Sequence, residues 1–309
     1  METESVISLP PLPVVDIRGL SVSYGRQVAL RNLSLTIPRG EVFGFIGPNG
    51  AGKTTTIRMM MDIIKPDSGE IKVMGERLTE ASKNKIGYLP EERGLYKKMS
   101  VIDSILYFAS LKGIDNQLAR KRGEALLKRA DLLPHQNKRI EELSRGMGQI
   151  VQLIITIIHE PDLIILDEPF SGLDPVNTQL LKDMIRDLKN KGKTIIMSTH
   201  LMNDIEELCD RLLMINKGRV VLYGNLTEVK SNYRNNSVLV ETVGELGTIE
   251  GVIGQNRHNG AVELKLDAKT TPQMLLERLI KKGVVVNRFE LSTPSLTEIF
   301  IKVVGDEHE

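Results

Sequence analysis

An α/β fold with an N-terminal antiparallel β portion, a helical insert and a small α+β domain at its C-terminal side is what this sequence predicts, on three observations. Short apolar runs, EVFGFIG, LIILDEP, TIIMSTH and RLLMINKG, alternate with helix-forming stretches, the pattern of a parallel sheet buried on both faces. Between residues 99 and 147 the apolar spacing takes on a helical period. Beyond Gly224 it changes again, to alternating strand-like segments and two helices.

In chain order, METESVISLPPLP, residues 1 to 13, reads as a flexible, proline-rich lead with neither the basic start nor the apolar run of a signal peptide. Residues 14 to 95 read as strands and turns around a glycine-rich loop and its helix, ending in the strand-like KIGYLP. SVIDSILYFASLKG and NQLARKRGEALLKRADLL form the helical insert, with Ser100 and Asp103 placed as a capping box. The parallel-sheet pattern then returns and carries the main domain, 14 to 224, to its end. Residues 225 to 309 hold SVLVETV, AVELKL and VVVNRFEL as strands, with TPQMLLERLIKKG and SLTEIFIKVVG as helices. No catalytic spacing occurs there, so this accessory domain is read as regulatory, dimerising or packing.

At 309 residues the chain is long enough for one large core and a smaller second domain. Lys and Arg total 41 against 40 for Asp and Glu, a balance that gives no charge-based reason to expect a nucleic acid or an anionic membrane surface as partner. A single cysteine, Cys209, excludes an intrachain disulfide, suits a reducing compartment and is read as a buried apolar side chain. No stretch approaches the roughly 20 apolar residues of a membrane helix. The best candidate, LIITIIHEPDLIILDEP, is interrupted by His159, Glu160, Pro161 and Asp162.

The chemistry is concentrated in GPNGAGKTTT, residues 47 to 56, which joins the apolar run EVFGFIG to the helix-forming TTTIRMMMDII. A strand, a G-x4-G-K-[ST] loop and a helix form a phosphate cradle, and the main domain is therefore read as a P-loop NTPase core. Gly47, Gly50 and Gly52, with Pro48, Asn49 and Ala51 between them, let backbone amides point at phosphate oxygens, and the helix that follows adds its positive end. Lys53 supplies a charge for the β and γ phosphates, Thr54 a hydroxyl for magnesium, and Thr55 a further phosphate contact. Met59, Met60 and Met61 are core packing.

LIILDEP delivers Asp167 and Glu168 at the carboxyl end of a strand, where ligands sit in open α/β sheets. Adjacent residues on a strand face opposite ways, so the two acids divide the work. Asp167 is assigned to the magnesium shell and Glu168 to the water that attacks the γ phosphate.

With these motifs in order, residues 14 to about 224 resemble the ATP-binding subunit of an ABC transporter. The resemblance extends to Tyr24 in SVSYG, LSRGM at 143 to 147, SGLD at 171 to 174 and His200 in STH. It implies that Tyr24 stacks on adenine, that His200 senses the γ phosphate, and that Asp174 lies in a loop facing a partner subunit. In this family two subunits stack head to tail, so that Ser144 and Gly146 of one serve the γ phosphate held by the other. ATP and magnesium are the implied ligands. The implied partners are a second ATPase subunit, expected to be a second copy, and a separate transmembrane permease, with no nucleic acid, at the cytoplasmic face of the cell membrane.

The family pattern is departed from at Glu91, at Arg145 and Met147 in the signature, and at Gly148 and Ile150 just inside the next helix, where helix propensity and polarity are lowered. Glu91, in GYLPEERGLY, stands where glutamine is usual; it keeps an oxygen for magnesium but adds negative charge near the γ phosphate. This string and LSTPSLTEIF resemble a subgroup of sodium-efflux-like exporters with a C-terminal appendage domain. The signature reads LSRGM where LSGGQ is commoner. The function expected is ATP hydrolysis that powers a transporter, an exporter by subgroup, with Glu91 to Met99 as the docking surface for its permease. A soluble ABC-type ATPase and a non-hydrolysing nucleotide-binding regulator are the alternatives.

Overall fold

The computed structural model describes residues 12–25, 27–92, 94–234, 236–243, 246–258 and 261–305, so all but the last two residues of the predicted lead, 1 to 13, lie outside it. The chain divides into two compact units, Met1–Asn225 and Leu226–Glu309.

In the first unit, the apolar–polar alternation of VDIRGLSVSY and QVALRNLSLTI gives two half-buried strands, β1 (Val15–Tyr24) and β2 (Gln27–Ile37). The unbroken run VFGFI gives β3 (Val42–Ile46), buried throughout. The glycine-rich loop follows, then α1 (Lys53–Met60) and β4 (Ser68–Val73). A single turn, α2 (Glu80–Lys83), is closed by a capping box between Thr79 and Ser82 and leads to β5 (Ile86–Leu89).

The helical insert holds α3 (Val101–Leu111) and α4 (Asn116–Arg129), capped by Ser100 and Asp115. Only half of the expected box at Ser100 forms. The Ser100 hydroxyl accepts from the Asp103 N–H, but the Asp103 carboxylate takes the hydroxyl proton of Ser100 at 2.6 Å and leaves the Ser100 backbone alone. The third helix, α5 (Arg145–Ile157), starts in the insert and continues onto the core. There Gly87 of β5 lets it approach closely, since a Cβ at that position would stand 2.4 Å from the Thr156 carbonyl oxygen. Then come β6 (Leu163–Asp167), α6 (Pro175–Asn190), β7 (Thr194–Thr199), α7 (Met202–Leu208), β8 (Arg211–Asn216) and β9 (Arg219–Asn225).

Two sheets result. A three-stranded antiparallel sheet has the order β2-β1-β4. The second has the order β5-β6-β7-β3-β8-β9, parallel except for the antiparallel pair β8 and β9. The antiparallel sheet, α1 and β3 share one core, in which Phe43, Phe45, Ile57, Met59 and Met60 are buried. This is the expected α/β core with its antiparallel β portion and helical insert. Because β7 lies between β3 and β6, the carboxyl end of β7 comes between the glycine-rich loop and the Asp167–Glu168 pair. Cys209 is buried, and burial pushes its thiol pKa up.

The second unit contains α8 (Leu226–Asn232), β10 (Ser237–Val243), β11 (Val252–His258), β12 (Ala261–Leu266), α9 (Pro272–Lys281), β13 (Val285–Leu291) and α10 (Leu296–Gly305). Its sheet is antiparallel, in the order β11-β12-β10-β13, over a core that includes Val238, Val240, Leu264, Leu275 and Leu279. Sequence patterning missed β11, because VIGQNRH carries an internal glycine and does not alternate. Among the described residues no helix is long and apolar enough to cross a membrane.

One titratable group is locked into the first unit. The His159 Nε2 lies 3.1 Å from the Ile86 carbonyl oxygen, which can only accept, so the ring carries its proton there while Nδ1 is buried without a partner. Burial, with Lys112 adding repulsion, pushes the His159 pKa from 6.5 down to about 4. The unfolded chain therefore binds more protons than the native one between these values, and stability falls as pH drops from about 6.5 toward 4. Urea midpoints at pH 7 and pH 5 should fall further for wild type than for His159→Gln, whose amide still donates to Ile86 without titrating.

Candidate functional site

The loop between β3 and α1 is shaped by close approach. A Cβ at Gly47 would stand 2.1 Å from the Ile215 carbonyl oxygen, and one at Gly52 would stand 3.0 Å from that of Ala29. Gly50 and Gly52 also take φ of 77° and 114°, in the left-handed region that favours glycine. Together Asn49 to Thr55, Ala29, Glu91 and Glu168 line a pocket of 370 Å³.

Lys53 opens α1 with its side chain turned inward, 5% exposed. Its ammonium donates to the carbonyls of Gly47 at 2.8 Å and Pro48 at 3.4 Å, and stands 3.4 Å from Glu168 Oε1. A buried ammonium needs such partners, because an unpaired charge there costs several kcal/mol. The next residue of α1, Thr54, donates its hydroxyl to Asp167 Oδ1 at 3.2 Å.

Asp167 is fully buried at the end of β6. Ser198, its register partner on β7, donates its hydroxyl to the same Oδ1. The other carboxylate oxygen, Oδ2, is buried with no hydrogen-bond partner. Glu168 has φ of 49°, uncommon for a residue with a side chain. Its N–H is held by Ser198, through the hydroxyl at 3.0 Å and the carbonyl at 3.2 Å. His200, just beyond β7, places Nδ1 3.0 Å from Glu168 Oε2. Lys53 and His200 thus meet opposite oxygens of one carboxylate.

The charge balance bears on what the pocket can take. Two buried carboxylates face one buried ammonium, and Glu91 adds a further acid at the lining. A polyphosphate needs a cation there to offset this charge. The orphaned Asp167 Oδ2 and the Thr54 hydroxyl fit magnesium, an oxygen-seeking ion. No cluster of three or more His, Cys, Asp or Glu able to hold a metal exists among the described residues, so phosphate oxygens and water would complete the shell.

Ser144, Gly146 and Asp174 are brought together elsewhere. Ser144 caps α5 by accepting from Met147 N–H at 3.2 Å, and Asp174 caps α6 by accepting from Asn177 N–H at 3.0 Å. Hydrogen bonds from Asn177 hold the Asp174 carboxyl below its usual range. Gly146, in the first turn of α5, lies against the α6 cap: a Cβ there would stand 2.6 Å from Asn177 Nδ2 and 3.3 Å from Asp174 Oδ2. Arg145 lies against Gly172. None of these residues lines the Lys53 pocket, and neither does Tyr24, which is half exposed at the end of β1.

Sequence reasoning missed Ser198, Gln149 and Gln152. Both glutamines are buried on α5: Gln149 donates to the Pro169 carbonyl at 3.2 Å, next to Glu168, and Gln152 to that of Pro90 at 3.4 Å, next to Glu91. A polar residue in an otherwise apolar strand or helix face was the available signal.

Comparison with known proteins gives consistent matches. Residues 30–171 match the family model described as ABC transporter, and residues 224–304 match the C-terminal domain of ATP-binding proteins like DrrA1-3. An uncharacterised ABC transporter ATP-binding protein of Bacillus subtilis, YhaQ, is 40% identical over 96% of this chain and its own full length. The Nod factor export ATP-binding protein I of Burkholderia lata is 35% identical over 69% of this chain and 71% of its own. A solved ATP-binding subunit of an ABC transporter superposes with a TM-score of 0.66 at 30% identity, covering 71% of this chain and 93% of its own.

Ser198→Ala removes one partner from a buried carboxylate and one from the Glu168 N–H. Chemical denaturation should show a loss of about 1–3 kcal/mol, the cost of leaving buried polar groups short of a bond.

Proposed function

The chain belongs to the ATP-binding subunits of ABC transporters, and on that premise we propose that it hydrolyses ATP between two copies of itself to power a separate membrane-spanning permease. The observation that supports this most is that the site is split. Lys53, Thr54 and Glu168 line one pocket, with Asp167 bonded to Thr54 and His200 to Glu168, while Ser144, Gly146 and Asp174 cluster outside it. A second copy stacked head to tail would supply the missing side.

In this reading the loop amides from Asn49 to Thr55 and the Lys53 ammonium hold the β and γ phosphates, with Gly47 and Pro48 shaping the turn, and Tyr24 takes the adenine. Thr54 and Asp167 hold magnesium, with Glu91 adjoining. When bound, the ion supplies positive charge to the phosphate oxygens. Glu168 accepts a proton from the attacking water as the water oxygen bonds to the γ phosphorus and the bond to the ADP oxygen breaks. His200 orients the Glu168 carboxylate and contacts the γ phosphate. Ser144 and Gly146 of the second copy donate to the same phosphate, so that ATP acts as an adhesive until hydrolysis removes it.

Export is the direction favoured by the relative named for Nod factor export. The loop from Glu91 to Met99, of which Arg93 lies outside the described residues, is the proposed docking surface for the permease, at the cytoplasmic face of the membrane. The second unit is proposed as an accessory domain of about residues 225 to 309.

Glu168→Gln keeps the carbonyl-type acceptor near Lys53 but cannot take a proton. It should still bind ATP, release phosphate at least about a hundredfold more slowly than wild type, and sediment as a dimer with ATP and magnesium. Equal phosphate release by the two proteins would remove the basis for Glu168 as base.

A further inference from the structure

α7, which follows His200, is poorly secured by its own sequence. It has seven residues, and no side chain caps its first turn. A helix this short is marginal without outside contacts. Its first turn carries Asp204, 6% exposed, whose Oδ2 has no partner and whose Oδ1 lies 2.9 Å from the Lys182 ammonium.

Lys182 projects from the middle of α6 and is itself buried. Its ammonium reaches Glu207 Oε2 at 2.5 Å, further along α7, and sits 5.6 Å from the ring centroid of Phe170. Arg186, one turn on from Lys182, pairs with the other Glu207 oxygen. Burial pulls the Lys182 pKa down, but the bonds to Glu207 and Asp204 outweigh it and leave the ammonium firmly charged. The two places it touches adjoin Glu168 and His200, and the helix that carries it starts from the cluster of Ser144, Gly146 and Asp174. Phe170 lies two residues after Glu168, α7 begins two residues after His200, and α6 is the helix that Asp174 caps.

We infer that Lys182 is the positioning residue that holds His200 against Glu168, by clamping the first turn of α7 and the loop after Glu168 to α6. It touches no reacting atom; its effect passes through the geometry of the His200–Glu168 pair. A removed ammonium frees the start of α7, and His200 loses its fixed distance to the carboxylate. This inference rests on the hydrolysis proposed above, and its test includes a readout that does not.

The test compares Lys182→Met, Asp204→Asn, Lys189→Met, His200→Ala and the double variant Lys182→Met/His200→Ala in the full chain. Asp204→Asn breaks the same link without leaving a bare buried carboxylate, and so serves if Lys182→Met does not fold. Lys189→Met breaks the neighbouring α6 ion pair to Asp210 and controls for general loosening. Lys182→Met and Asp204→Asn should lower kcat by about tenfold or more, with KM for ATP within about twofold of wild type. Lys189→Met should leave kcat unchanged, and Lys182→Met should add nothing in the His200→Ala background. In NMR spectra without nucleotide, the His200 imidazole resonance should move in Lys182→Met and Asp204→Asn but not in Lys189→Met. Losses that multiply in the double variant, or an unmoved His200 resonance in folded Lys182→Met or Asp204→Asn, would overturn the inference. A wild type that hydrolyses no ATP would instead refute the proposed function, and the resonance comparison would then decide the role of Lys182 alone.

Discussion

The buried Lys53 ammonium is the constraint on which the rest of the pocket depends. A positive charge that is 5% exposed is tolerable only with close acceptors, and those come from two separate places: the Gly47 and Pro48 carbonyls of its own loop and the Glu168 carboxylate. For the carboxylate to arrive, β6 must lie in register beside β7, and β7 beside β3. The glycine loop must also fold tightly enough to return its own carbonyls to the lysine. The sheet order β6-β7-β3 therefore does more than close a core, because it brings Ser198 and His200 to the two acids from the strand between. Ser198 then ties both acids at once, through the Asp167 carboxylate and the Glu168 N–H.

The helix α5 links the two halves of the proposed composite site within one chain. Its first turn carries Ser144 and Gly146, assigned to the nucleotide of a second copy. Its buried face carries Gln149 and Gln152, bonded to the carbonyls preceding Phe170 and Glu91. A shift of α5 on engagement by a partner would displace the loops beside Glu168 and Glu91 in the same chain.

What the sequence made legible follows from how local the chemistry is. The phosphate loop is one contiguous string whose glycines are each required by the backbone, and the acid pair ends an unmistakable apolar strand. Both could be read without the fold. The helical insert and parallel core followed from periodicity, whereas β11 did not, because its place is set by pairing with β12 and not by its own alternation. Ser198, Gln149, Gln152 and Lys182 act across sequence separations of 20 residues or more, and Asp204, the partner of Lys182, looks in the sequence like any surface acid. Arg145, a departure from the usual signature, was visible; that it lies against Gly172 was not. Recognising the family supplied Tyr24, Ser144, Gly146, Asp174 and His200, none of which is distinctive alone.

The second unit has its own core and sheet, and its match to a known C-terminal domain accounts for its presence without assigning it a task. The central claim concerns the first unit, that its buried lysine recognises a polyphosphate. Calorimetric titration of ATP with magnesium, and of AMP, into wild type and Lys53→Met measures this directly. The account predicts that wild type binds ATP much more tightly than AMP, and that the variant loses at least about tenfold of its ATP affinity, or 1.4 kcal/mol. Equal binding of ATP and AMP by wild type, or full ATP affinity in Lys53→Met, would contradict it.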